Sequence, residues 1–197
     1  AASCAGKVAT QLSNGQLKSI SLKYEGDIAN YDSNILKSAC LMGILAPISE
    51  EKVNLVNAEL IASQKGLTIT EHKVPVAQQY GSIVTVQMET TDGQTEVAVT
   101  HIRGESHIVL VNNHWVDIVA SSGYMLFTDH QDRPGMIGAV GTITGKHNIN
   151  IGFMEVGRQE ARGRATMILG LDDSLPESVL SEINDLPDVF RTSLVHL

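Results

Sequence analysis

The chain has 197 residues, enough for one large domain or two small ones that each bury a core. Hydrophobic residues make up 43% and charged residues 18%, as in an ordinary globular protein, and no apolar run reaches the roughly 18 residues of a membrane span. The net charge is −8, with eight basic and twelve acidic residues before Gly123 and six and ten from there on. Neither part has the basic stripe that binding a phosphate backbone requires, so we expect neither nucleic acid nor membrane as a partner.

The first 122 residues predict a mixed α/β domain in which strands outnumber helices. Asp32 and Ser33 are the candidate N-caps of one helix, and Gly66 is the expected C-cap of the next. Asp92-Gly93 predicts a tight hairpin, and Asn112-Asn113 predicts a second one. From apolar periodicity, the predicted helices cover 1–12, 33–48 and 50–66, and the predicted strands cover 16–26, 67–74, 82–93, 94–104, 107–113 and 114–120.

A different pattern of apolar and polar residues begins after the short connection Ser121-Ser122-Gly123, which is made of small residues. The order that follows is strand, helix, strand, strand, helix, strand, which is the βαββαβ order of a ferredoxin-like fold. The fold class is therefore predicted as α+β, with a first domain over 1–122 and a ferredoxin-like domain over 123–197. In the second domain the predicted strands cover 124–129, 149–159, 164–172 and 188–197, and the predicted helices cover 134–148 and 174–186.

Motifs for catalysis and metal binding are absent from the sequence. There is no GxSxG, HExxH or CxxC, and no GxGxxG follows a strand. Cys4 and Cys40 lie in helical patterns among small and apolar residues, which predicts buried thiols. Gly138, Gly141 and Gly145 are spaced to allow close packing of a helix on its sheet. We therefore expect no catalytic residues, no metal and no cofactor in this chain.

The stretch DHQDRPGMIGAV, residues 129–140, carries polar groups where a strand ends and a helix begins. Pro134-Gly135 suits the first helical turn and lets the backbone approach a neighbour closely. Asp132 is the natural N-cap by type and position, and the unpaired amides of a helix start favour an anion. Two interpretations stay open on this ground. One is a plain cap with His130 ending the strand, and the other is a ligand-binding turn.

Several separate motifs resemble one known family. The segment from QDRPGMIG to GLDD, residues 131–173, resembles an ACT domain, the small-molecule-sensing module attached to enzymes of amino-acid biosynthesis. DRPG, INI and EVGRQEARGRATMIL are similar to the C-terminal end of the long D-3-phosphoglycerate dehydrogenases. Before them, KVATQL, KYEGDIANYDSNILKSACLMGIL, VNLVNAELIASQKG and HIVLVNNHWVD resemble the intervening, allosteric substrate-binding domain of the same enzymes. The resemblance covers essentially the whole chain, in order.

This resemblance implies a regulatory fragment whose catalytic domains lie upstream on the same polypeptide, which fits a chain without an initiator Met. The family oxidises 3-phosphoglycerate with NAD, the committed step towards serine, so NAD is expected in the absent part. The end product L-serine inhibits by binding between two ACT domains whose sheets pair edge to edge. Self-association through the ACT domains and a cytoplasmic location are therefore expected.

The resemblance also implies which residues contact the effector. The family's two polar positions around the turn and its Asn at the next strand correspond to His130, Asp132 and Asn150. The serine ammonium group would bind Asp132, where some members carry Asn, and its carboxylate would use the amides around Gly135 and Met136. His130 would contact the carboxylate or the hydroxyl. Asn150 would reach in from the partner chain or from the neighbouring strand.

The resemblance also suggests an anion site in the first domain. Some relatives bind phosphorylated substrate there, through Lys and Arg over positions 107–119. His107 and His114 stand in that region here. A neutral histidine lacks the fixed charge and the bidentate fork of arginine. We expect the anion site to be lost or weakened, or to operate only at a lower pH at which the histidines are charged.

Two other functions remain open. The β subunit of an iron–sulfur L-serine dehydratase carries the same two modules, although the KVATQL and KYEGDIANYD segments favour the dehydrogenase. In the third interpretation, the ACT unit only assembles the protein and its effector pocket stays empty. Dimerisation is expected in all three, because an unpaired edge strand is an aggregation risk.

Overall fold

The computed structural model describes residues 1–121 and 123–197. Ser122, where the predicted domain boundary falls, lies outside the described residues. None of the helices in the described part is both long and apolar enough to span a membrane.

The chain divides into two compact units. The first consists of residues 1–113 and 117–120, and the second consists of 114–116 and 121–197. Helices and strands are mixed in both, which confirms the predicted two-domain α+β class.

The first part of the chain is built on a six-stranded sheet in the order β2-β1-β3-β4-β5-β6. β1 runs parallel to β2 and antiparallel to β3, and the remaining pairs to β5 are antiparallel. Short 3-10 helices lie at Asp27–Asn30 and Ala46–Ile48. The other elements are α1 (Ala2–Leu12), β1 (Leu17–Gly26), α2 (Asn34–Leu45), α3 (Ala58–Gln64), β2 (Thr68–Val74), β3 (Ser82–Thr90), β4 (Gln94–Ile102), β5 (Glu105–Val111) and β6 (His114–Val119).

The predicted alternation of β1 produces one buried face. Ile20, Leu22 and Tyr24 are buried, while their neighbours along the strand are partly exposed. α1 packs on α2 and on strands β3 and β4. The two helices approach so closely that a Cβ at Gly6 or Gly43 would overlap a carbonyl oxygen of the other helix. Neither glycine has a positive φ, so it is the close packing of the two helices, and not the backbone conformation, that requires glycine here.

The helix predicted over 50–66 is shorter than expected, because α3 begins only at Ala58. Asn54 and Asn57 account for the late start. The Asn54 side-chain oxygen accepts hydrogen bonds from the amides of Val56 and Asn57, and Asn57 Oδ1 accepts one from the Asn54 amide. Such local bonds offer the backbone an alternative to a helix. The helix ends at Gln64 with Lys65 as its C-cap, and Gly66, predicted as the C-cap, follows one residue later at a φ of 68°.

Cys40 is completely buried in α2, while Cys4 in α1 is partly exposed, and both thiols are free. Burial raises the pKa of Cys40 to about 12, and only the thiolate reacts readily with alkylating reagents. In a Cys4→Ser variant, we therefore expect Cys40 to resist iodoacetamide at mildly alkaline pH until urea unfolds the chain, as followed by mass spectrometry. Rapid labelling of the folded variant would contradict the packing of α2.

The second unit has the predicted βαββαβ order, which is confirmed. Its four-stranded sheet is arranged β10-β7-β9-β8, so that β8 and β10 are the edge strands. The two helices cover one face, with Leu126, Val140, Leu169 and Val179 among the buried residues of the core. The elements are β7 (Tyr124–Gln131), α4 (Met136–Lys146), β8 (Ile151–Arg158), β9 (Arg164–Leu171), α5 (Glu177–Asn184) and β10 (Val189–His196).

The prediction that the α4 glycines allow close packing is wrong. A Cβ added at Gly138, Gly141 or Gly145 would meet nothing within 4 Å. Tight contacts in this unit occur at other glycines, such as Gly170 in β9, where a Cβ would overlap the ring of Phe153. Periodic spacing of glycines along a helix therefore did not identify the crowded positions.

Candidate functional site

The turn after β7 has a different cap from the predicted one. Gly135, at a φ of 91°, is the N-cap of α4, and no side chain caps the helix. The prediction that Asp132 caps α4 is therefore wrong. Gly135 is needed for its left-handed conformation and not for a close approach, since a Cβ there would meet nothing within 4 Å. The amide of Met136 donates to the Arg133 carbonyl oxygen at 3.3 Å, so a ligand would have to share that donor.

Asp132 instead binds two groups from the β8–β9 hairpin. Its Oδ2 accepts a hydrogen bond from Arg158 Nη1 at 2.6 Å and one from the backbone amide of Arg162 at 3.2 Å. These two bonds hold the pKa of the Asp132 carboxyl below its usual value, against a smaller opposing effect of desolvation. Asp132 is therefore an ionised acceptor at neutral pH, with a side chain that is 23% exposed.

Three further contacts fix this end of the sheet. The Gln131 side-chain amide donates to the carbonyl oxygen of Arg162, and the Asp132 amide donates to Gly163 O at 2.8 Å. Arg133 binds on the other side, where its Nε lies 2.7 Å from Asp188 Oδ2. The turn is thus attached both to the β8–β9 hairpin and to the segment that leads into β10.

His130 is buried, with 1% of its surface exposed, next to the turn. Its Nδ1 lies 3.1 Å from the Thr128 carbonyl oxygen. Because a carbonyl can only accept, Nδ1 carries the proton, which leaves Nε2 as the acceptor nitrogen in the uncharged form of the ring. An acceptor of this kind can bind a hydroxyl group.

Asn150 lies at the opposite end of the same sheet. Tyr124 pairs with Leu171, and Leu171 pairs with Ile151, so the starts of β7 and β8 share one end. Asn150 immediately precedes β8, and its Nδ2 donates to Asp172 Oδ2 at 2.7 Å. A hollow of about 260 Å³, lined by Asp172 and the start of β7, opens at this end. Within one chain, the structure does not bring Asn150 to His130 and Asp132.

The two histidines of the expected weak anion site have other partners. His107 Nδ1 lies 2.7 Å from Asp117 Oδ1, so a carboxylate stands beside it that would repel an anion. His114 Nδ1 lies 3.1 Å from Thr166 Oγ1, whose hydroxyl donates to Asp129. Among the residues that the structure describes, no group of three His, Cys, Asp or Glu side chains is placed to hold a metal ion.

The sequence interpretation missed Arg158 and the amide of Arg162 as partners of Asp132, and Asp172 as the partner of Asn150. A signal for Arg158 was present. In the predicted βαββαβ order, the first two strands run parallel, so their C-terminal ends lie at the same end of the sheet. Arg158 ends the second strand as Gln131 ends the first, which places its guanidinium near the turn.

Comparisons with known proteins match both units. Residues 2–112 match the family model of the D-3-phosphoglycerate dehydrogenase intervening domain, and residues 124–188 match that of the ACT domain. A D-3-phosphoglycerate dehydrogenase of Synechocystis is 35% identical over 93% of the chain, and this match covers 33% of that protein. Those of Methanocaldococcus jannaschii and Bacillus subtilis are 30% and 31% identical over 98% of the chain, which corresponds to 36% and 37% of their lengths. The chain thus spans about a third of these relatives.

Proposed function

Since the chain belongs to the family of D-3-phosphoglycerate dehydrogenase intervening domains and continues into an ACT domain, we propose that it is a regulatory region that binds L-serine for feedback inhibition. In the full-length protein, the upstream domains would bind NAD and oxidise 3-phosphoglycerate. The boundary between the two regulatory domains would lie at residues 122–123. The matched relatives are dehydrogenases, which supports this function over that of a serine dehydratase subunit.

The observation that carries the proposal is the ionised Asp132 carboxylate beside the start of α4. Serine is a zwitterion, so one end of its site needs a charged acceptor for the ammonium group. The other end needs donors for the carboxylate, which the amides around Gly135 and Met136 provide in a region of positive helix dipole. In the uncharged form of the ring, Nε2 of His130 would accept a hydrogen bond from the serine hydroxyl. Each polar group of serine therefore has a partner of the right kind.

Asn150 joins this site only if a second copy of the chain supplies it. β8 is an edge strand, and two β8 strands related by a two-fold axis pair antiparallel. The start of one β8 then lies beside the end of the other, where Arg158 and the turn after β7 are found. Two equivalent sites would form, each with His130 and Asp132 from one chain and Asn150 from its partner.

Serine binding can be measured directly on this chain. We expect L-serine to release or absorb heat in titration calorimetry and to raise the melting temperature, because a ligand at 100 times its Kd adds about 2.7 kcal/mol to the free energy of unfolding. An Asp132→Ala variant should lose both effects. A dimer confirmed by ultracentrifugation that gives no heat with millimolar serine would contradict the proposal. If that dimer also ignores every other amino acid, the ACT unit is an assembly module only.

A further inference from the structure

The carboxylate that the proposed ligand needs already has a cationic partner in the chain. Arg158 Nη1 lies 2.6 Å from Asp132 Oδ2, a charge-assisted hydrogen bond. The ammonium group of an amino acid would require the same charge in the same place. The Arg158 and Arg162 hydrogen bonds both use Oδ2, so an ammonium group that binds this carboxylate either shares it with Arg158 or displaces Arg158, and both cases weaken the existing pair.

Arg158 contacts Asp132 through its side chain and is exposed enough to move away from it. Its side chain is 53% exposed and projects from the last residue of edge strand β8. Arg133 is bound at two points, by Asp188 and by the Pro187 carbonyl oxygen, and Arg164 lies over the ring of Phe190 at 4.5 Å. Arg162 reaches Asp132 through its backbone amide, which can stay in place when a ligand binds.

Resting on the proposed function, we propose that Arg158 is a specificity-determining residue that competes with the ligand ammonium for Asp132. In the free chain, Arg158 neutralises the carboxylate. A ligand displaces it only by bringing a cationic group of its own, so the pair lowers the affinity for amino acids and requires that the ligand carry an ammonium group. An exposed ion pair of this kind is a modest competitor. It therefore adjusts the affinity and does not close the site.

An Arg158→Gln variant tests the competition. We expect its Kd for L-serine to be about two- to fivefold lower than that of the parent chain, the range that an exposed ion pair contributes. The difference should shrink as sodium chloride is raised, because salt screens the pair in the parent. Arg164→Gln removes the same charge from the same end of the sheet without a contact to Asp132, and its Kd should equal that of the parent. An unchanged or higher Kd in Arg158→Gln would overturn the proposal.

A measurement without ligand separates this proposal from the proposed function. In a carboxyl NMR titration of the free chain, the pKa of Asp132 should rise in Arg158→Gln towards its usual value and stay low in Arg164→Gln. Serine binding by the parent with an equal Kd in Arg158→Gln rejects the competition and leaves the proposed function intact. Absence of serine binding in both chains rejects the two together. Binding in Arg158→Gln alone supports the competition and overturns the statement that Arg158 only adjusts the affinity.

Discussion

Replacing Gly6 by alanine is expected to lower the free energy of unfolding by about 3 kcal/mol, the upper end of the overpacking range. A Cβ at this position would overlap the carbonyl oxygen of Cys40 and lie 2.8 Å from the amide nitrogen of Ile44. Both atoms belong to the backbone of α2, so no side chain can rotate away. The helices would have to separate, and buried residues such as Val8 and Leu41 would lose contacts in the core.

The matched control is Gly145→Ala in α4. No atom lies within 4 Å of a Cβ there, and alanine in a helix is favoured over glycine by roughly 0.5–1 kcal/mol. Urea unfolding followed by far-UV circular dichroism should therefore move in opposite directions for the two variants. A Gly6→Ala chain that unfolds at the parent's urea concentration would show that α1 and α2 are not in backbone contact.

Local patterns along the chain predict most of this fold. A few adjacent residues were enough to predict the buried face of β1 from its alternation and the turn at Asn112-Asn113. In the structure these two asparagines have φ values of 46° and 69°. The βαββαβ order of the second unit follows from the succession of such segments. Most strands are shorter than predicted by one to three residues, as with β8, which covers Ile151–Arg158 and was predicted over 149–159, whereas β7 continues two residues further, to Gln131. Element boundaries depend on pairing partners that the local pattern does not contain.

The errors come from competition that local patterns do not reveal. Over 50–57 the sequence has a helical pattern, but the side chains of Asn54 and Asn57 accept hydrogen bonds from backbone amides that a helix would otherwise pair. Glycine spacing suggested crowding along α4, yet the helical glycines with crowded surroundings are Gly6 and Gly43, whose partners lie more than thirty residues away. Close helix packing is a property of two segments together.

The candidate site shows the same division. The turn at Pro134-Gly135 was predictable because proline fixes its own φ and glycine permits the positive φ that Gly135 adopts. The role of Asp132 was not, since a cap and an acceptor for Arg158 require the same residue type at the same point of the chain. Distinguishing them requires the position of β8, which depends on the whole sheet.

Mixing two inactive variants is expected to restore serine binding, which tests whether the proposed site is shared between chains. Asp132→Ala and Asn150→Ala should each abolish binding as homodimers, because each removes one contact from both sites. In a mixed dimer, one site combines the intact Asp132 of one chain with the intact Asn150 of the other. Random mixing makes half of the dimers mixed, with one good site in two, so about a quarter of the parent's binding stoichiometry should return.

The geometry excludes the same recovery for a site within one chain. Asn150 stands at the end of the sheet where β7 and β8 begin, and Asp132 follows the end at which they finish. If a single chain nevertheless formed the site, every chain in the mixture would keep its own defect, and calorimetry would detect no heat at any mixing ratio. A mixture of Asp132→Ala with His130→Ala is the matched control, since both residues lie on the same side of the proposed interface. It should stay inactive, because each site in its mixed dimers still lacks one of the two.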